Sequence, residues 1–335
     1  MDDLRWFAPN RYCTLPVPAL RRAGLAIALG GDAPAGAAVA ADGQCAVAAF
    51  EYSLRAHCPL LVYLWDLPPW RLGRGKPDFI FELGGRIQRI PRLLDRYPER
   101  AGNYSRIRFA ARRAAQVWSP SENTVGDVRT RFGIEAERVP FCYDSDRFCA
   151  GSGAHGVESG GPQVILSISR LVPHKNHGAI LRAAARLKTR PVVRLIGQGP
   201  EAKPLRHLAD ALDVRLDLTD TWASDGDIVD AYCGADIVVA PSRFEGFGLT
   251  PMEGLAMGLP VIASDIPPHR EFLNGAVHFF PPDDDSALAH QLAAVLSSPT
   301  APTVPTVLTV LSGLTIDACA RRFLPGLERL LRSRR

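Results

Sequence analysis

Short apolar runs alternate with amphipathic segments throughout the second half of the chain. The runs have the length of β-strands and lie at 163–169, 192–197, 214–220, 236–242 and 259–264. Segments with apolar residues at helical spacing separate them, at 176–189, 200–213, 227–235 and near 250–257. Apolar strands that alternate with helices indicate a parallel sheet covered by helices on both faces.

The first half shows the same alternation less regularly. We predict strands at "LRWFA", "LAIAL", "PLLVYLW" and "AQVWSPS", with helical segments between them. Residues 149–162 are rich in glycine and serine without periodicity, which favours a linker. The sequence therefore predicts an α/β fold of two doubly wound Rossmann-like domains, 1–150 and 151–312, joined near residue 155.

Two segments follow the second domain's alternating pattern. Residues 297–308 are rich in proline and threonine, and we interpret them as a connection. Residues 313–335 contain an amphipathic basic pattern, which predicts a C-terminal helix.

Composition places the chain among ordinary soluble globular proteins, with 47% hydrophobic and 22% charged positions in 335 residues. No stretch approaches the roughly 18 apolar residues that a membrane-spanning helix needs. The start, "MDDLRWFAPN", lacks the basic-then-apolar pattern of a secretory signal. The seven cysteines include no C-x-x-C pair, which favours reduced thiols, so we expect a cytoplasmic protein.

The net charge of +4 comes from the first half, chiefly from the arginine-rich stretch 85–116. A nucleic-acid-binding domain is usually far more basic, so no nucleic-acid partner is expected. Two interpretations of the stretch stay open. It forms either solvated helix surfaces or a cationic face towards an anionic acceptor or the inner face of a membrane.

The stretch "RFEGFGLTPMEGLAMGLPVIAS", residues 243–264, follows a predicted strand and leads into a predicted helix. In open parallel sheets, ligands bind beyond the carboxyl ends of strands, near helix N-termini. Glycines there let backbone N–H groups approach an anion closely. We therefore predict that Gly246, Phe247, Gly248, Leu249 and Thr250 present amides to a phosphate.

Two glutamates flank this loop. Glu253 fits a capping box with Thr250 as N-cap and Pro251 at the first helical position, and it equally fits a ligand-binding role. Glu245 precedes the helix, where no cap needs it. We predict that Glu245 accepts hydrogen bonds from ligand hydroxyl groups.

Two cations follow another predicted strand, in "SISRLVPHKNHGAI". Arg170 offers a planar fork and Lys175 a mobile point charge, and together they suit a diphosphate. Both residues also fit an ordinary charged surface, but the nearby glycine loop favours the phosphate site.

The stretch "IGQGPEA", 196–202, is a partial dinucleotide fingerprint, with Asp217 downstream as the acid. It lies in the middle of its predicted domain rather than after the first strand. We predict that Gly197 and Gly199 line a nucleotide pocket, and we keep a nicotinamide site as the alternative.

Metal ligands are not predicted. The acidic clusters "DSD", "DGD" and "DDD" lie where aspartates form turns and caps, and the histidines lack ligand spacing. We expect no cofactor and no divalent metal.

These motifs resemble the retaining glycosyltransferases of family 4. The resemblance rests on "SRLVPHKNH", "IGQGPE" and the E-x7-E pattern in "EGFGLTPMEGLAMGLPVIASDIPPHRE", and it is dense from about 160 to 275. It implies the GT-B fold, in which two Rossmann-like domains face a central cleft. It also implies that the C-terminal helix packs back on the first domain.

The resemblance also implies roles at the site. Glu245 contacts the donor sugar, Glu253 contacts the ribose, and the amides of 247–250 hold sugar and diphosphate. Arg170 and Lys175 stabilise the leaving diphosphate without a metal, and the anomeric configuration is retained by front-face attack.

The sequence departs from the family in the first half. Where the family often has a histidine over the donor sugar, "LVYLWDLPPW" offers Trp65 and Asp66. Asp66 is a candidate for orienting acceptor or sugar hydroxyls, or it caps a turn.

The leading hypothesis is a sugar transferase that uses a UDP-sugar or GDP-mannose and a saccharide, lipid-linked or natural-product acceptor. The alternatives are an NAD(P)-dependent oxidoreductase and a non-catalytic nucleotide-sugar-binding protein.

Overall fold

The computed structural model describes ten parts of the chain: 4–7, 17–29, 38–42, 45–67, 82–83, 86–87, 107–149, 161–221, 223–298 and 304–333. The chain divides into two compact units. The N-terminal unit comprises 1–79, 89–142 and 313–335, and the C-terminal unit comprises 80–88 and 143–312. The linker predicted at 149–162 lies mostly outside the described residues.

A parallel sheet of six strands forms the centre of the N-terminal unit, in the order β2-β1-β3-β4-β7-β8. Its strands are β1 Leu4–Phe7, β2 Ile27–Leu29, β3 Ala38–Asp42, β4 Leu60–Tyr63, β7 Gln116–Ser119 and β8 Glu137–Arg138. A separate antiparallel pair consists of β5 Glu82–Leu83 and β6 Arg86–Ile87. The four strands predicted in the first half are confirmed.

Strand β3 has no counterpart among the predicted strands. Its sequence, "AVAAD", is mostly alanine, which has little intrinsic preference for strands. All five residues are buried, because β3 lies between β1 and β4. Position in the sheet, rather than local propensity, makes this segment a strand.

Helices flank this sheet. Those with defined bounds are α1 Val17–Arg22, α2 Ala46–Ala56 and α3 Glu122–Asp127, and α3 continues in a wider π-helical turn over Val128–Phe132. Ser121 caps α3, since its hydroxyl accepts a hydrogen bond of 3.2 Å from the Thr124 N–H.

The C-terminal unit contains a second parallel sheet of six strands, in the order β11-β10-β9-β12-β13-β14. The strands are β9 Val164–Ile168, β10 Val192–Ile196, β11 Arg215–Thr219, β12 Ile237–Ala240, β13 Val261–Ser264 and β14 His278–Phe280. Sequential strands run outwards in both directions from the pair β9 and β12. This is the doubly wound Rossmann order, with its topological switch point between those two strands.

Helices lie between the strands of this second sheet and after its last strand. They are α4 His177–Ala184, α5 Ala202–Ala211, α6 Asp225–Cys233, α7 Leu249–Ala256, α8 Pro267–Leu273, α9 Asp285–Ser297 and α10 Val304–Leu311. The interpretation of 297–308 as a connection alone is wrong, because α10 begins inside it. Pro305 is tolerated there because the first turn of a helix has no internal acceptor for its missing N–H.

The predicted C-terminal helix is observed as α11, Ile316–Arg332. Its apolar face is buried in the N-terminal unit, where the Phe323 ring lies 5.1 Å from that of Trp118, edge to face. The Gln116 side-chain amide donates to the Gly326 carbonyl at 2.8 Å. None of the described helices is both long and apolar enough to span a bilayer.

We expect Gly326→Ala to destabilise the protein by about 1–3 kcal/mol, the usual range for an overpacked core. A Cβ atom at this position would lie 2.2 Å from Cζ2 of Trp118, a buried ring that cannot move aside. Urea unfolding of the purified variant measures the effect.

The matched control is Gly126→Ala, another glycine inside a helix, where a Cβ atom meets nothing within 4 Å. We expect this variant to be unchanged or more stable by about 0.5–1 kcal/mol, because alanine favours helix. Equal effects of the two substitutions would contradict the packing argument.

Candidate functional site

The candidate site lies at the switch point of the C-terminal sheet. Strands β9 and β12 are parallel neighbours, so their carboxyl ends meet at the same edge. The loop after β9 carries Arg170 and Lys175, and the loop after β12 carries Glu245. The Arg243 N–H donates to the His174 carbonyl at 2.8 Å, which joins the two loops.

An ion pair links the predicted residues Lys175 and Glu245. The Lys175 Nζ atom lies 2.5 Å from Oε1 of Glu245, and the two side chains are only 14% and 17% exposed. The Ser242 hydroxyl donates to the same oxygen at 2.7 Å. Sequence analysis missed Ser242, although it is the last residue of the apolar run that contains β12.

These contacts fix the charge of Glu245. Burial by itself raises the pKa of a carboxyl group, but Lys175, the nearby His269 and the Ser242 hydroxyl outweigh it and hold the pKa of Glu245 at about 2. Glu245 is therefore a carboxylate at every physiological pH. It can accept hydrogen bonds but cannot donate one.

Arg170 is exposed and has no ion-pair partner within the parts of the chain that the structure describes. It is thus an unpaired cation, within that part of the chain, on the same loop as Lys175. Its loop is fixed by backbone hydrogen bonds, since the Leu171 N–H donates to the Gln198 carbonyl at 2.8 Å and the Leu171 carbonyl accepts from the Glu201 N–H at 3.0 Å. This loop holds the Arg170 backbone at the carboxyl end of β9.

Gly197 and Gly199 allow the loop after β10 to lie close to the loop after β9. A Cβ atom on Gly197 would lie 1.8 Å from the Ser169 carbonyl oxygen, and one on Gly199 would lie 2.1 Å from that of Leu171. The two glycines therefore lie in close contact with the backbone of the loop that carries Arg170. Their predicted place in a nucleotide pocket stays a prediction.

Asp217 does not occupy the position of the acid in a dinucleotide fingerprint. It lies within β11 rather than beyond the end of the strand, and it accepts a hydrogen bond of 2.7 Å from Arg194. The geometry gives no support to the nicotinamide alternative.

Gly248 forms the turn into α7. Its φ of +99° lies in the left-handed region, and a Cβ atom would lie 3.0 Å from Nε2 of His269. The N–H groups of Gly248, Leu249 and Thr250 donate to no residue that the structure describes. They form a set of backbone donors at a helix N-terminus, the arrangement that binds anions.

Two further predicted residues, Gly246 and Phe247, are buried between Glu245 and this turn. The Phe247 ring packs against Phe272 with 4.6 Å between ring centroids. This contact holds the loop through the Phe247 side chain and leaves the loop backbone at the edge of the sheet.

The capping-box interpretation of Thr250 and Glu253 is wrong. Helix α7 begins at Leu249, and no side chain caps it. The Thr250 hydroxyl donates instead to the Ile168 carbonyl at 2.6 Å, which ties the start of α7 to the end of β9. Oε2 of Glu253 accepts a hydrogen bond of 2.8 Å from the Tyr232 hydroxyl.

The two glutamates differ in their protonation. Burial raises the pKa of Glu253 to about 7, although the Tyr232 hydroxyl and Arg147 oppose the shift and Asp144 adds to it. Among the residues that the structure describes, no cation pairs with Glu253 as Lys175 pairs with Glu245. At neutral pH a substantial fraction of Glu253 carries a proton.

His269 is a further residue that sequence analysis did not single out. It is fully buried, and its Nδ1 atom lies 2.9 Å from the Ser264 carbonyl, so Nδ1 carries the proton that donates. Burial lowers the pKa of His269, because it disfavours the charged form of the ring. The ring forms the wall against which Gly248 packs.

Asp66 belongs to the N-terminal unit, three residues after β4. It is partly exposed, and the neighbouring Trp65 packs edge to face on Phe141 with 5.0 Å between ring centroids. The role of Asp66 at a sugar or acceptor stays a prediction.

No cluster of three or more potential metal ligands occurs among the described residues. The acidic clusters have local partners. Ser224 and Asp227 form a capping box at the start of α6, and Asp284 caps α9.

Residues 155–304 match the family described as "Glycosyl transferases group 1". This region belongs to that family. The match contains Arg170, the turn at Gly248 and both glutamates, so the family assignment predicted from these motifs is confirmed.

Among curated proteins, the chain resembles the O-antigen chain mannosyltransferase RfbU of Salmonella typhimurium. The two are 23% identical over 197 residues, which cover 58% of this chain and 55% of the relative. The match thus spans about half of the relative's length.

Solved structures show the same fold over almost the whole chain. Sucrose-phosphate synthase from Thermosynechococcus elongatus matches with a TM-score of 0.77 and 14% identity, over 99% of this chain and 100% of that one. Anabaena HepE in complex with UDP-glucose matches with a TM-score of 0.73 and 15% identity, over 97% and 99%. The predicted GT-B fold is confirmed.

We expect Glu253→Gln to stabilise the protein at pH 8 by up to about 3 kcal/mol. Folded Glu253 keeps its proton up to a pH of about 7, whereas a glutamate carboxyl in the unfolded chain has its ordinary pKa of 4.5 and loses the proton there. The wild type therefore loses stability as pH rises through this window, and the amide does not. Urea unfolding at acidic and alkaline pH measures the difference.

Glu245→Gln is the opposite control. Its carboxylate has a lowered pKa, so it stabilises the fold above pH 4.5 and loses this effect only as pH falls towards 2. We expect Glu245→Gln to destabilise the protein at pH 8. The same sign for both substitutions would show that their environments do not differ as described.

Proposed function

We propose that the protein is a glycosyltransferase that moves a sugar from a nucleotide-diphosphate sugar to a hydroxyl acceptor. The observation that carries the proposal is the set of free backbone donors at Gly248, Leu249 and Thr250, beside the free cation Arg170. Both lie at the switch point, where open α/β sheets bind nucleotides. Membership of residues 155–304 in the group 1 family supports the same chemistry.

The diphosphate of the donor binds at the N-terminus of α7. The backbone N–H groups donate to phosphate oxygens, and the partial positive charge of the helix adds to the attraction. Arg170 reaches the phosphates from the loop after β9. Lys175 pairs with Glu245, so its charge keeps that carboxylate ionised and also adds positive charge to the site.

The two carboxylates recognise hydroxyl groups on either side of the diphosphate. Glu245 is held as an anion, which suits it to accept hydrogen bonds from hydroxyls of the donor sugar. Glu253 lies just after the first turn of α7, within the helix that holds the phosphates, and accepts from the ribose. The role of Asp66 at the acceptor or the sugar stays a prediction.

The transfer breaks the bond between the anomeric carbon and the diphosphate oxygen and forms a bond to the acceptor oxygen. Negative charge grows on the leaving diphosphate, where the α7 amides and Arg170 stabilise it. The leaving phosphate oxygen takes the acceptor proton on the same face of the sugar. The anomeric configuration is then retained. We propose that no divalent metal takes part, since these groups supply the positive charge.

The comparisons bear on the donor only through the names of other proteins. RfbU is named a mannosyltransferase, and HepE was solved with UDP-glucose. These names support a UDP-sugar or GDP-mannose as donor, with a saccharide, lipid-linked or natural-product acceptor. Contact of the basic N-terminal surface with a membrane stays a prediction.

We expect Arg170→Ala to reduce sugar transfer or donor hydrolysis by about 10²-fold or more, as loss of leaving-group stabilisation does. UDP-glucose and GDP-mannose are the donors to test, and nucleoside diphosphate release is the readout. The substitution should lower kcat by a larger factor than it lowers the affinity for the donor.

Arg215→Ala is the matched control. Arg215 is also exposed, but it begins β11 and therefore lies at the opposite, amino edge of the same sheet. The Arg215→Ala substitution changes the net charge by the same amount as Arg170→Ala, and the variant should retain activity. Equal activity of the two variants would show that Arg170 does not act at the site. Lack of turnover by the wild type with a full panel of donors would favour a non-catalytic binding protein.

Activity should persist in EDTA. The positive charge at the diphosphate comes from Arg170 and backbone N–H groups, which a chelator does not remove. Loss of activity in EDTA that added Mg²⁺ or Mn²⁺ restores would refute the metal-independent mechanism.

A further inference from the structure

Tyr232 is a buried titratable group that the transfer chemistry leaves unused. It lies on α6 with no exposed surface, and its hydroxyl donates to Oε2 of Glu253 at 2.8 Å. The Thr250 carbonyl lies farther from the same hydroxyl, at 3.4 Å. Because one hydroxyl has one proton, the shorter contact to the carboxylate prevails.

The tyrosine is held rigidly. Its ring packs edge to face on Phe148 with 5.5 Å between centroids. The capping box at Ser224 fixes the start of α6. Asp225, in the first turn of α6, accepts from Arg147 at 2.8 Å, which ties the helix to the turn that contains Phe148. The hydroxyl therefore has a fixed position relative to α7.

Glu253 has a second oxygen that the protein does not use. Oε1 has no hydrogen-bond partner in the parts of the chain described by the structure, and the residue is only partly buried. A carboxylate with one oxygen fixed and one free can accept from a ligand hydroxyl at a defined angle. Without Tyr232, both oxygens could rotate about the side-chain bond.

We propose that Tyr232 is a positioning residue for the donor. It fixes Oε2 of Glu253 so that Oε1 faces the hydroxyl pair of the bound nucleotide's ribose. This inference rests on the proposed function, in which Glu253 binds that part of the donor. It adds a residue 21 positions before Glu253 to the specificity of the site.

The surroundings make this contact important at neutral pH. The Tyr232 hydroxyl bonds to the ionised carboxylate and so lowers the pKa of Glu253, against the larger effect of burial. Arg147 acts in the same direction, and Asp144 opposes it. Among the other described elements packed around α7, the strands β12 and β13 and the helix α10 contain no ionisable residue.

Tyr232→Phe tests the proposal because it removes one oxygen and keeps the packed ring. We expect UDP-glucose or GDP-mannose, whichever the wild type binds, to bind about tenfold more weakly by calorimetry, the usual cost of losing a hydrogen bond to a charged group. KM should rise while kcat changes little. The phosphates of these donors do not titrate near neutrality, so the pH dependence of binding reports on the protein.

The pH profile separates positioning from general loss of structure. In the wild type, donor affinity should fall as the pH drops below about 7, where Glu253 takes up its proton. In Tyr232→Phe the midpoint should move to higher pH. Infrared difference spectra against Glu253→Gln, which report the protonated carboxyl group directly, should show the same shift in the free protein.

Tyr63→Phe is the matched control. Tyr63 is also fully buried, and its hydroxyl donates to a backbone carbonyl in the N-terminal unit, that of Val139. The Tyr63→Phe variant should be less stable than the wild type, but the pH midpoint of its donor binding should not change. In a Glu253→Gln background, Tyr232→Phe should have little further effect on donor binding, since coupled residues are not additive.

The outcomes are distinct. A wild type that binds no nucleotide sugar overturns the proposed function and the positioning role together. A wild type that binds, with a Tyr232→Phe variant that matches Tyr63→Phe in affinity and pH midpoint, overturns the positioning role alone. So does an undiminished effect of Tyr232→Phe in the Glu253→Gln background.

Discussion

The contact between Lys175 and Glu245 is the constraint on which the rest of the site depends. A carboxylate that is 17% exposed needs a close cation to stay ionised at every physiological pH, and Lys175 supplies it from the loop after the neighbouring strand. The pair therefore joins the loops that follow β9 and β12. Thr250 reinforces the same junction through the Ile168 carbonyl. With both loops fixed, the free N–H groups of α7 and the free cation Arg170 share one edge of the sheet.

Around this junction, two residues of the same type acquire opposite properties. Glu245 faces a lysine and keeps a pKa of about 2, whereas Glu253 faces a tyrosine hydroxyl and has a pKa of about 7. The difference follows from what each neighbour can offer, because a full charge offsets burial and a neutral hydrogen bond does so only in part. The site thus combines a permanent anion with a carboxyl group whose charge depends on pH.

Much of the fold and part of the site could be predicted from local pattern. The apolar runs of the C-terminal unit predicted its strands, apart from β14, because buried parallel strands are apolar at most positions. The cations after β9 and the glycine loop after β12 were predicted as a binding site because ligands bind beyond the carboxyl ends of such strands. Strand β3 and helix α10 were missed. The alanines of β3 and the proline of α10 do not favour these structures locally, so local pattern does not predict either element without the segments that pack against it.

The sequence by itself determined that two doubly wound units exist and that glycines, cations and carboxylates lie in loops at the ends of strands. Only the tertiary structure decided which of these residues meet. Thr250, Pro251 and Glu253 fit a capping box locally, yet the Thr250 hydroxyl finds an acceptor 82 residues away and Glu253 finds a donor on another helix. Local pattern specifies which groups a segment can offer. The partner of each group is set by the packing of distant segments, which bring donors and acceptors within about 3 Å of each other.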